Sequence, residues 1–216
     1  MKIAFTTAIV ALGVLLSCAQ KPKQEKSGNT MSVASFTGKT DTATFGTGCF
    51  WCTEAIFKEL EGVLSVTSGY SGGTVARPTY KEVCTGETGH AECVQILYDP
   101  SKISFDELLE VFWQVHDPTT LNRQGADQGT QYRSAVFYHD AEQKQKAEKY
   151  KTELDKSGAF NNPIVTEITK FDKFYSAEDY HQDYYANNGD SNPYCSIVIR
   201  PKLEKFEKVF KKKLKR

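Results

Sequence analysis

The sequence lacks three features that would restrict its class at once. Charge of one sign is not in excess, because 27 Lys and Arg residues balance 27 Asp and Glu residues. There is no internal repeat, and no apolar run reaches the roughly 20 residues of a permanent transmembrane helix. Balanced charge argues against a nucleic acid partner, which normally requires a basic surface. The 216 residues are therefore expected to hold one domain with its own core.

The first residues carry the pattern of a secretion signal. Lys2 is followed by the apolar run AFTTAIVALGVLL, which is too short to remain in a bilayer as a spanning helix. The run ends at Ser17 and Cys18, an ending that resembles the box at which bacterial lipoproteins are cleaved and lipidated. We expect a signal peptide over residues 1–17 and a lipid anchor at Cys18, on the extracytoplasmic (periplasmic or cell-envelope) side of a bacterial membrane. The alternative is an ordinary signal peptide that is cleaved near a spare cysteine.

Composition divides the rest of the chain into a tether and a domain. Residues 18–44 contain few large apolar side chains and are predicted to be a disordered tether. Residues 45–216 are predicted to form the single domain. Near its end, apolar residues recur at helical spacing and predict an amphipathic helix that docks on the domain and leaves its lysines in solvent: Leu203, Phe206, Phe210 and Leu214.

Strand and helix patterns alternate along this domain. Strands are indicated by ATFGTG, ECVQILYD, SAVFYHD and PIVTEITKF. Helices are indicated by TEAIFKELEG, FDELLEVFWQVH, AEQKQKAEKYKTEL and EDYHQDYYANN. Ser104 and Glu107 form a capping box at the start of the second helix. Strands separated by helices predict an α+β or α/β domain, without fixing the strand order.

Cys49 is the strongest candidate for chemistry among the six cysteines. It lies between a predicted strand and a predicted helix, where free backbone N–H groups and the helix dipole favour the reactive thiolate. Phe50 and Trp51 follow it directly, and only one of two adjacent side chains faces the core easily. The other is expected to line an apolar hollow beside the nucleophile.

Five motifs, in this order and spacing, resemble the peptide methionine sulfoxide reductase A family: GCFWCTEAIF, GYSGG, PTYKEVCTGETGHAE, HDPTTLNRQGADQGTQYRS and AEDYHQDY. The resemblance implies an α+β fold, a two-layer α/β sandwich with a mixed sheet and a ferredoxin-like core. It also implies an oxidoreductase that reduces methionine-S-sulfoxide, free or in proteins, to methionine. The other epimer of the sulfoxide is left to a different enzyme.

The resemblance assigns roles to individual residues. Cys49 matches the nucleophile that attacks the sulfoxide sulfur. Glu92 matches the proton donor to the departing oxygen, a role that requires a desolvated carboxyl. Tyr80 and Tyr132 match two hydroxyl donors to the sulfoxide oxygen, and Asp127 matches an acid that seats the substrate. Phe50 and Trp51 match the walls around the S-methyl group.

The reaction would leave a sulfenic acid on Cys49, which a second thiol converts to a disulfide. Cys195 matches the C-terminal resolving cysteine of many family members, on a segment whose Asn, Gly, Asp and Pro suggest mobility. Cys52 stands where the family usually has glycine, and it could bridge directly to Cys49 as a relay or as the primary partner. Electrons are expected from a thioredoxin-like protein, without a cofactor or a metal.

Three alternatives remain open at this point. Cys49-x-x-Cys52 would also suit a thiol-disulfide oxidoreductase. A lipoprotein without catalytic activity could bind aromatic or Met-rich partners through Phe50 and Trp51. A zinc site could be drawn from Cys49, Cys52, Cys84, Cys93 and His90, although the spacing of the second cysteine pair is unusual. Cys84 and Cys93 are otherwise expected in the core, and His90 is expected to support Glu92 through a hydrogen bond.

Overall fold

The computed structural model describes residues 38–216. The predicted signal peptide, the Cys18 anchor and most of the predicted tether lie outside this range. In chain order the elements are β1 (Asp41–Thr47), α1 (Phe50–Lys58), β2 (Val63–Ser71), α2 (Tyr80–Val83), β3 (Ala91–Tyr98), α3 (Phe105–Val115), β4 (Arg123–Gln124), β5 (Asp127–Gln128), a 3₁₀ turn (Thr130–Tyr132), β6 (Ser134–Tyr138), α4 (Ala141–Ser157), β7 (Glu167–Lys170), β8 (Phe174–Ser176), a second 3₁₀ turn (Asp179–His181), α5 (Tyr184–Asn188), a π-helical turn (Cys195–Ile199) and α6 (Arg200–Val209).

Six strands form one mixed sheet in the order β7-β6-β1-β3-β2-β8. Strands β6 and β7 are parallel, and every other neighbouring pair in this sheet is antiparallel. The units β1-α1-β2 and β3-α3-β6 interleave so that the central order is β6-β1-β3-β2, which is the ferredoxin-like arrangement. The predicted α+β class with a mixed sheet and a ferredoxin-like core is confirmed.

Aromatic rings fill the space between the sheet and its helices. Phe45 of β1 is fully buried, and its ring lies 5.7 Å from that of Phe57 in α1 and 5.1 Å from that of Phe112 in α3. The predicted capping box is present, because the Ser104 hydroxyl accepts from the Glu107 N–H and Glu107 accepts from the Ser104 N–H. These contacts fix both helices against the strand that leads to Cys49.

The first strand begins earlier than composition indicated. Asp41 to Phe45 pair with β3, and Ala43 and Thr44 are fully buried. The predicted tether boundary at residue 44 is therefore wrong by a few residues. Small residues such as Thr and Ala suit a sheet position between two strands, although their composition resembles that of a tether.

Two other expectations need correction, and one strand was not predicted. Strand β2 was not predicted from the sequence, and its pairing with β3 shifts register between Val63 and Ser65, a bulge that disrupts its alternation. The segment EDYHQDYYANN is not one helix, because Asp183 adopts a left-handed conformation with φ 53°. The C-terminal helix ends at Val209, and Leu214 instead forms a β-bridge with Leu60. Among residues 38–216, no helix is long and apolar enough to span a bilayer.

Candidate active site

The chain turns sharply at Gly48 between β1 and α1. Gly48 has φ 91°, and a Cβ there would lie 2.5 Å from the Cβ of Gln124, so both the conformation and the space require glycine. The next residue, Cys49, occupies the N-cap position of α1. Its carbonyl accepts from the Thr53 hydroxyl at 3.1 Å, which fixes the backbone of Cys49 relative to the helix.

A cavity of about 190 Å³ opens beside this junction. Sites for drug-sized ligands usually measure about 300–1,000 Å³, so this cavity suits a single side chain. It is lined by all seven side chains predicted for catalysis and substrate binding: Cys49, Phe50, Trp51, Tyr80, Glu92, Asp127 and Tyr132. Tyr194, which was not predicted from the sequence, also lines it.

Glu92 is the buried carboxyl of this cavity. It lies on β3, is 1% exposed, and accepts a hydrogen bond from the Phe50 N–H at 3.1 Å. Burial raises the pKa of Glu92 well above its usual value, and the neighbouring Cys49 raises it further. The Phe50 N–H opposes this shift without reversing it. The raised pKa favours the protonated carboxyl, which is the form that the proton-donor role requires.

Cys49 differs from the thiolate that the sequence suggested. Burial raises the pKa of the Cys49 thiol well above its usual value, and the neighbouring Cys52 raises it further. The side chain is 6% exposed, and desolvation outweighs the opposing contributions of the Tyr194 side chain and the Cys52 N–H. The raised pKa favours the protonated thiol, so the reaction must include a step that removes this proton.

Two tyrosine hydroxyl groups complete the polar side of the cavity. Tyr80 begins α2, stacks at 19° on the ring of Phe50, and donates its backbone N–H to Glu178 at 2.8 Å. Tyr132 ends the first 3₁₀ turn. Burial, and then the nearby Glu92, raise the pKa of both phenols. Both therefore remain protonated and able to donate a hydrogen bond.

The apolar wall at Trp51 is held from outside the cavity. Its indole stacks on Tyr184 with ring centroids 3.6 Å apart and planes 8° apart. Its Nε1–H donates to Nδ1 of the buried His181 at 3.1 Å. Tyr184 is held in turn by Glu54, which accepts from the Tyr184 and Asp183 N–H groups. The AEDYHQDY motif, which contains both His181 and Tyr184, was the sequence signal for this support.

Tyr194 links the cavity wall to the third cysteine of the site. Its hydroxyl donates to Asp127 Oδ2 at 2.7 Å, and it precedes Cys195 directly. Asp127 lies on β5, in a two-stranded hairpin with β4. The position of Tyr194 beside Cys195 in NPYC was the available sequence signal.

Three thiols converge below the cavity. Cys49, Cys52 and Cys195 share one apolar cluster with Ile199, and all three are free and buried. Cys195 was expected on a mobile segment, but it is fully buried at the start of the π-helical turn that continues into α6. Its packing against α1 accounts for the difference.

The other two described cysteines lie elsewhere. Cys93 is buried in a separate cluster with Ala91, Ala135 and Phe137, as expected of a core residue. Cys84 is exposed at the end of α2, so its prediction as a core residue was wrong, because that short helix buries only Val83. The four cysteines of the zinc alternative therefore do not meet.

His90 does not support Glu92 as expected. Its Nδ1 accepts from the Gly73 N–H at 3.1 Å, and its Nε2 lies 2.8 Å from the Val75 carbonyl oxygen. Both ring nitrogens are thereby occupied by the backbone of the Gly73–Val75 loop, which the histidine fixes, and the Phe50 N–H is the group that contacts Glu92.

A larger cleft of about 660 Å³ lies between the ends of α3 and α6. Lys202, Lys205 and Phe206 contribute one side of it, and His116 and Phe160 lie among its other lining residues. Its lining contains no cysteine, so the chemistry belongs to the smaller cavity.

A buried thiol beside a carboxyl of raised pKa, with two more thiols in the same apolar cluster, defines a thiol-dependent oxidoreductase. The sequence pattern described as "Peptide methionine sulfoxide reductase" matches residues 41–214. The chain therefore belongs to the peptide methionine sulfoxide reductase family, and the predicted family and enzyme class are confirmed.

Individual relatives agree with this assignment. The chain is 55% identical to peptide methionine sulfoxide reductase MsrA of Saccharolobus solfataricus, over 81% of this chain and 97% of the relative. It is 56% identical to the MsrA of Haloquadratum walsbyi, over 81% and 98%. Reduced Mxr1 of Saccharomyces cerevisiae superimposes with a TM-score of 0.67 at 38% identity, over 71% of this chain and 88% of that one. Methionine sulfoxide reductase A of Corynebacterium diphtheriae gives 0.64 at 38%, over 73% and 80%.

Proposed function

We propose that this protein reduces methionine-S-sulfoxide, free or within proteins, to methionine, with Cys49 as the nucleophile. One observation carries the proposal: a protonated buried carboxyl, two phenol donors and a thiol line a cavity of about 190 Å³ that is walled by aromatic rings. The aromatic side accommodates the S-methyl group. The hydroxyl side pairs with the sulfoxide oxygen, and a plain thioether would leave those donors unpaired, at a cost of about 1–3 kcal/mol for each buried group.

The chemical step follows from the raised pKa values of Cys49 and Glu92. The sulfoxide oxygen receives hydrogen bonds from Tyr80 and Tyr132 and a proton from Glu92, while Asp127 helps to seat the substrate. Cys49 loses its proton as its sulfur attacks the substrate sulfur. The net result is a thioether and a sulfenic acid on Cys49: the substrate sulfur gains two electrons, and the Cys49 sulfur loses two.

Recycling completes the proposed cycle. A second thiol, Cys52 or Cys195, condenses with the sulfenic acid to form a disulfide and water. A thioredoxin-like dithiol then reduces this disulfide by exchange and becomes oxidised itself. Cys49 and one of the other two thiols of the cluster are thereby used, and no cofactor enters the scheme.

A single-turnover measurement tests the reaction. The reduced enzyme is mixed with a peptide that contains one methionine sulfoxide, without reductant, and the thioether formed is counted by mass spectrometry. We expect about one thioether per chain for the wild type and none for Cys49→Ser. Cys93→Ala is the matched control, because Cys93 adjoins Glu92 on β3 but lies in a separate cluster. Full turnover by a folded Cys49→Ser variant would refute the proposal.

We also propose that Cys18 carries a lipid that holds the enzyme on the extracytoplasmic face of a bacterial membrane. Support comes from the short apolar run and the Leu-Leu-Ser-Cys ending. Expression of the full chain in a bacterium, followed by detergent phase partition, tests this. We expect the wild type in the detergent phase and Cys18→Ser in the aqueous phase. Equal partition of the two would contradict the anchor.

A further inference from the structure

The thiol cluster leaves open which cysteine resolves the Cys49 sulfenic acid, and the surroundings of Cys52 and Cys195 differ. This question rests on the proposed function, since the sulfenic acid exists only if Cys49 reduces a sulfoxide. Cys52 lies one helical turn from Cys49 on α1, and Cys195 lies on the π-helical turn before α6. Both sulfurs are buried in the same apolar cluster.

Among the described residues, two cations act on this cluster: Arg200 acts on Cys195, and Lys202 contacts Cys52. The Nζ atom of Lys202, on α6, lies 4.0 Å from the Sγ atom of Cys52. Among residues 38–216, Lys202 makes no ion pair with a carboxylate. A partly buried ammonium group loses hydration and normally finds an anion in exchange. The sulfur of Cys52 is the group in position to provide that negative charge.

We infer that Lys202 is a positioning residue that holds Cys52 as a thiolate beside Cys49, and that Cys52 is therefore the first thiol to attack the Cys49 sulfenic acid. Cys52, which stands where the family usually has glycine, thus acts together with Lys202 as one resolving pair.

The charges around the cluster agree with this order. The hydrogen bond from Cys49 lowers the pKa of Cys52 and Lys202 lowers it further, while burial and Asp127 oppose the shift. Tyr194, the remaining group that faces Cys52, also lowers this pKa. Burial and the neighbouring Cys49 instead raise the pKa of Cys195, and the charge of Arg200 opposes this shift without reversing it. Since a thiolate is the attacking form, Cys52 has the advantage at neutral pH.

The resolving step balances without another reactant. The Cys52 sulfur attacks the Cys49 sulfur, the S–O bond of the sulfenic acid breaks, and an S–S bond forms. The hydroxide leaves as water with a proton from solvent, which replaces the proton that Cys52 released on ionisation. The two sulfurs end at the same oxidation level, and Lys202 keeps its proton throughout.

Single turnovers of Lys202→Met, Lys202→Arg and Lys205→Met test the inference. Lys205 is the matched control, because it lies on the same helix and lines the same cleft but is exposed. Each reaction is quenched with an alkylating reagent at successive times, and the disulfide is located by peptide mass spectrometry. The pH dependence of Cys52 alkylation is measured separately on the resting enzymes.

In the wild type we expect Cys49–Cys52 as the first disulfide. In Lys202→Met, we expect its formation at pH 7 to slow about tenfold and Cys52 alkylation to need a higher pH, as loss of a close positive charge predicts. Release of methionine should not change. Lys202→Arg should restore both properties, and Lys205→Met should match the wild type.

A first disulfide between Cys49 and Cys195, or an unchanged rate in folded Lys202→Met, would overturn the inference. Both outcomes are separate from a failure of the proposed function, which would appear as absence of the methionine burst in the wild type.

Discussion

Replacing Glu92 by Gln tests the acid function of this side chain, because the replacement keeps its structural contact and removes its acidic proton. The Gln side chain has the same size, and its carbonyl oxygen can still accept from the Phe50 N–H, which the carboxyl now does at 3.1 Å. The variant loses only the acidic proton and the possibility of charge. We therefore expect a folded protein with an intact cavity.

The expected loss of rate follows from the role of that proton. General acid catalysis contributes about 10²–10⁴-fold, which equals about 3–5 kcal/mol of activation free energy. We expect the single-turnover rate of Glu92→Gln to fall within this range. The rate at which an alkylating reagent modifies Cys49 should not fall, because no proton donor to an oxygen is needed there.

Stability provides a second measurement on the same variant. In the wild type, burial raises the pKa of Glu92, so the unfolded chain ionises first as the pH rises from about 4.5. Above that pH the folded state binds more protons than the unfolded state, and the free energy of unfolding falls with rising pH. Glu92→Gln removes this loss and should be stabilised relative to the wild type at pH 7 more than at pH 4.

Glu204→Gln is the control for both measurements, since Glu204 is exposed on α6 outside the cavity. Sulfoxide reduction by Glu92→Gln within threefold of the wild type would refute the reasoning. Equal losses in sulfoxide reduction and in Cys49 alkylation would also contradict it, because they would indicate a distorted nucleophile.

Two further predictions concern residues outside the catalytic cavity. Tyr184→Leu removes the ring that stacks on Trp51, and because such pairs contribute about 0.5–1.5 kcal/mol, KM should rise about two- to tenfold. Tyr180→Leu, at an exposed tyrosine, should leave KM unchanged. Equal KM values in the two variants would exclude this support of Trp51 by Tyr184. Burial lowers the pKa of His116 to about 4, so between pH 6.5 and 4 the unfolded chain binds a proton that the folded state does not. The free energy of unfolding, measured with urea, should therefore fall by about 3 kcal/mol as the pH falls through this range. This fall should be smaller in His116→Gln.

The sequence was sufficient where a residue's role depends on its near neighbours. Cys49 was placed between a strand and a helix, and the structure has β1 end at Thr47 and α1 begin at Phe50. The raised pKa of Glu92 was expected from its apolar strand neighbours and is found. The family motifs then brought Tyr80, Asp127 and Tyr132 to the same cavity.

Contacts between distant segments could not be predicted in this way. The hydrogen bond from Tyr194 to Asp127 joins segments that are far apart along the chain. The turn at Asp183 likewise depends on the distant Glu54. Strand β2 was missed because its bulge breaks alternation. The protonated state of Cys49 depends on burial by three segments, whereas the helix dipole is visible locally.

The distribution of these contacts has a consequence for substrate specificity. Phe50 is held by the core, but Trp51 is held by Tyr184 and His181, which come from the segment that follows β8. Glu54 anchors that segment to α1 through two backbone N–H groups, so the indole of Trp51 is fixed by a loop that α1 itself holds. The shape of the apolar wall is therefore set by side chains that do not line the cavity, and changes at Glu54 or Tyr184 would alter recognition of the S-methyl group while leaving the reacting atoms in place.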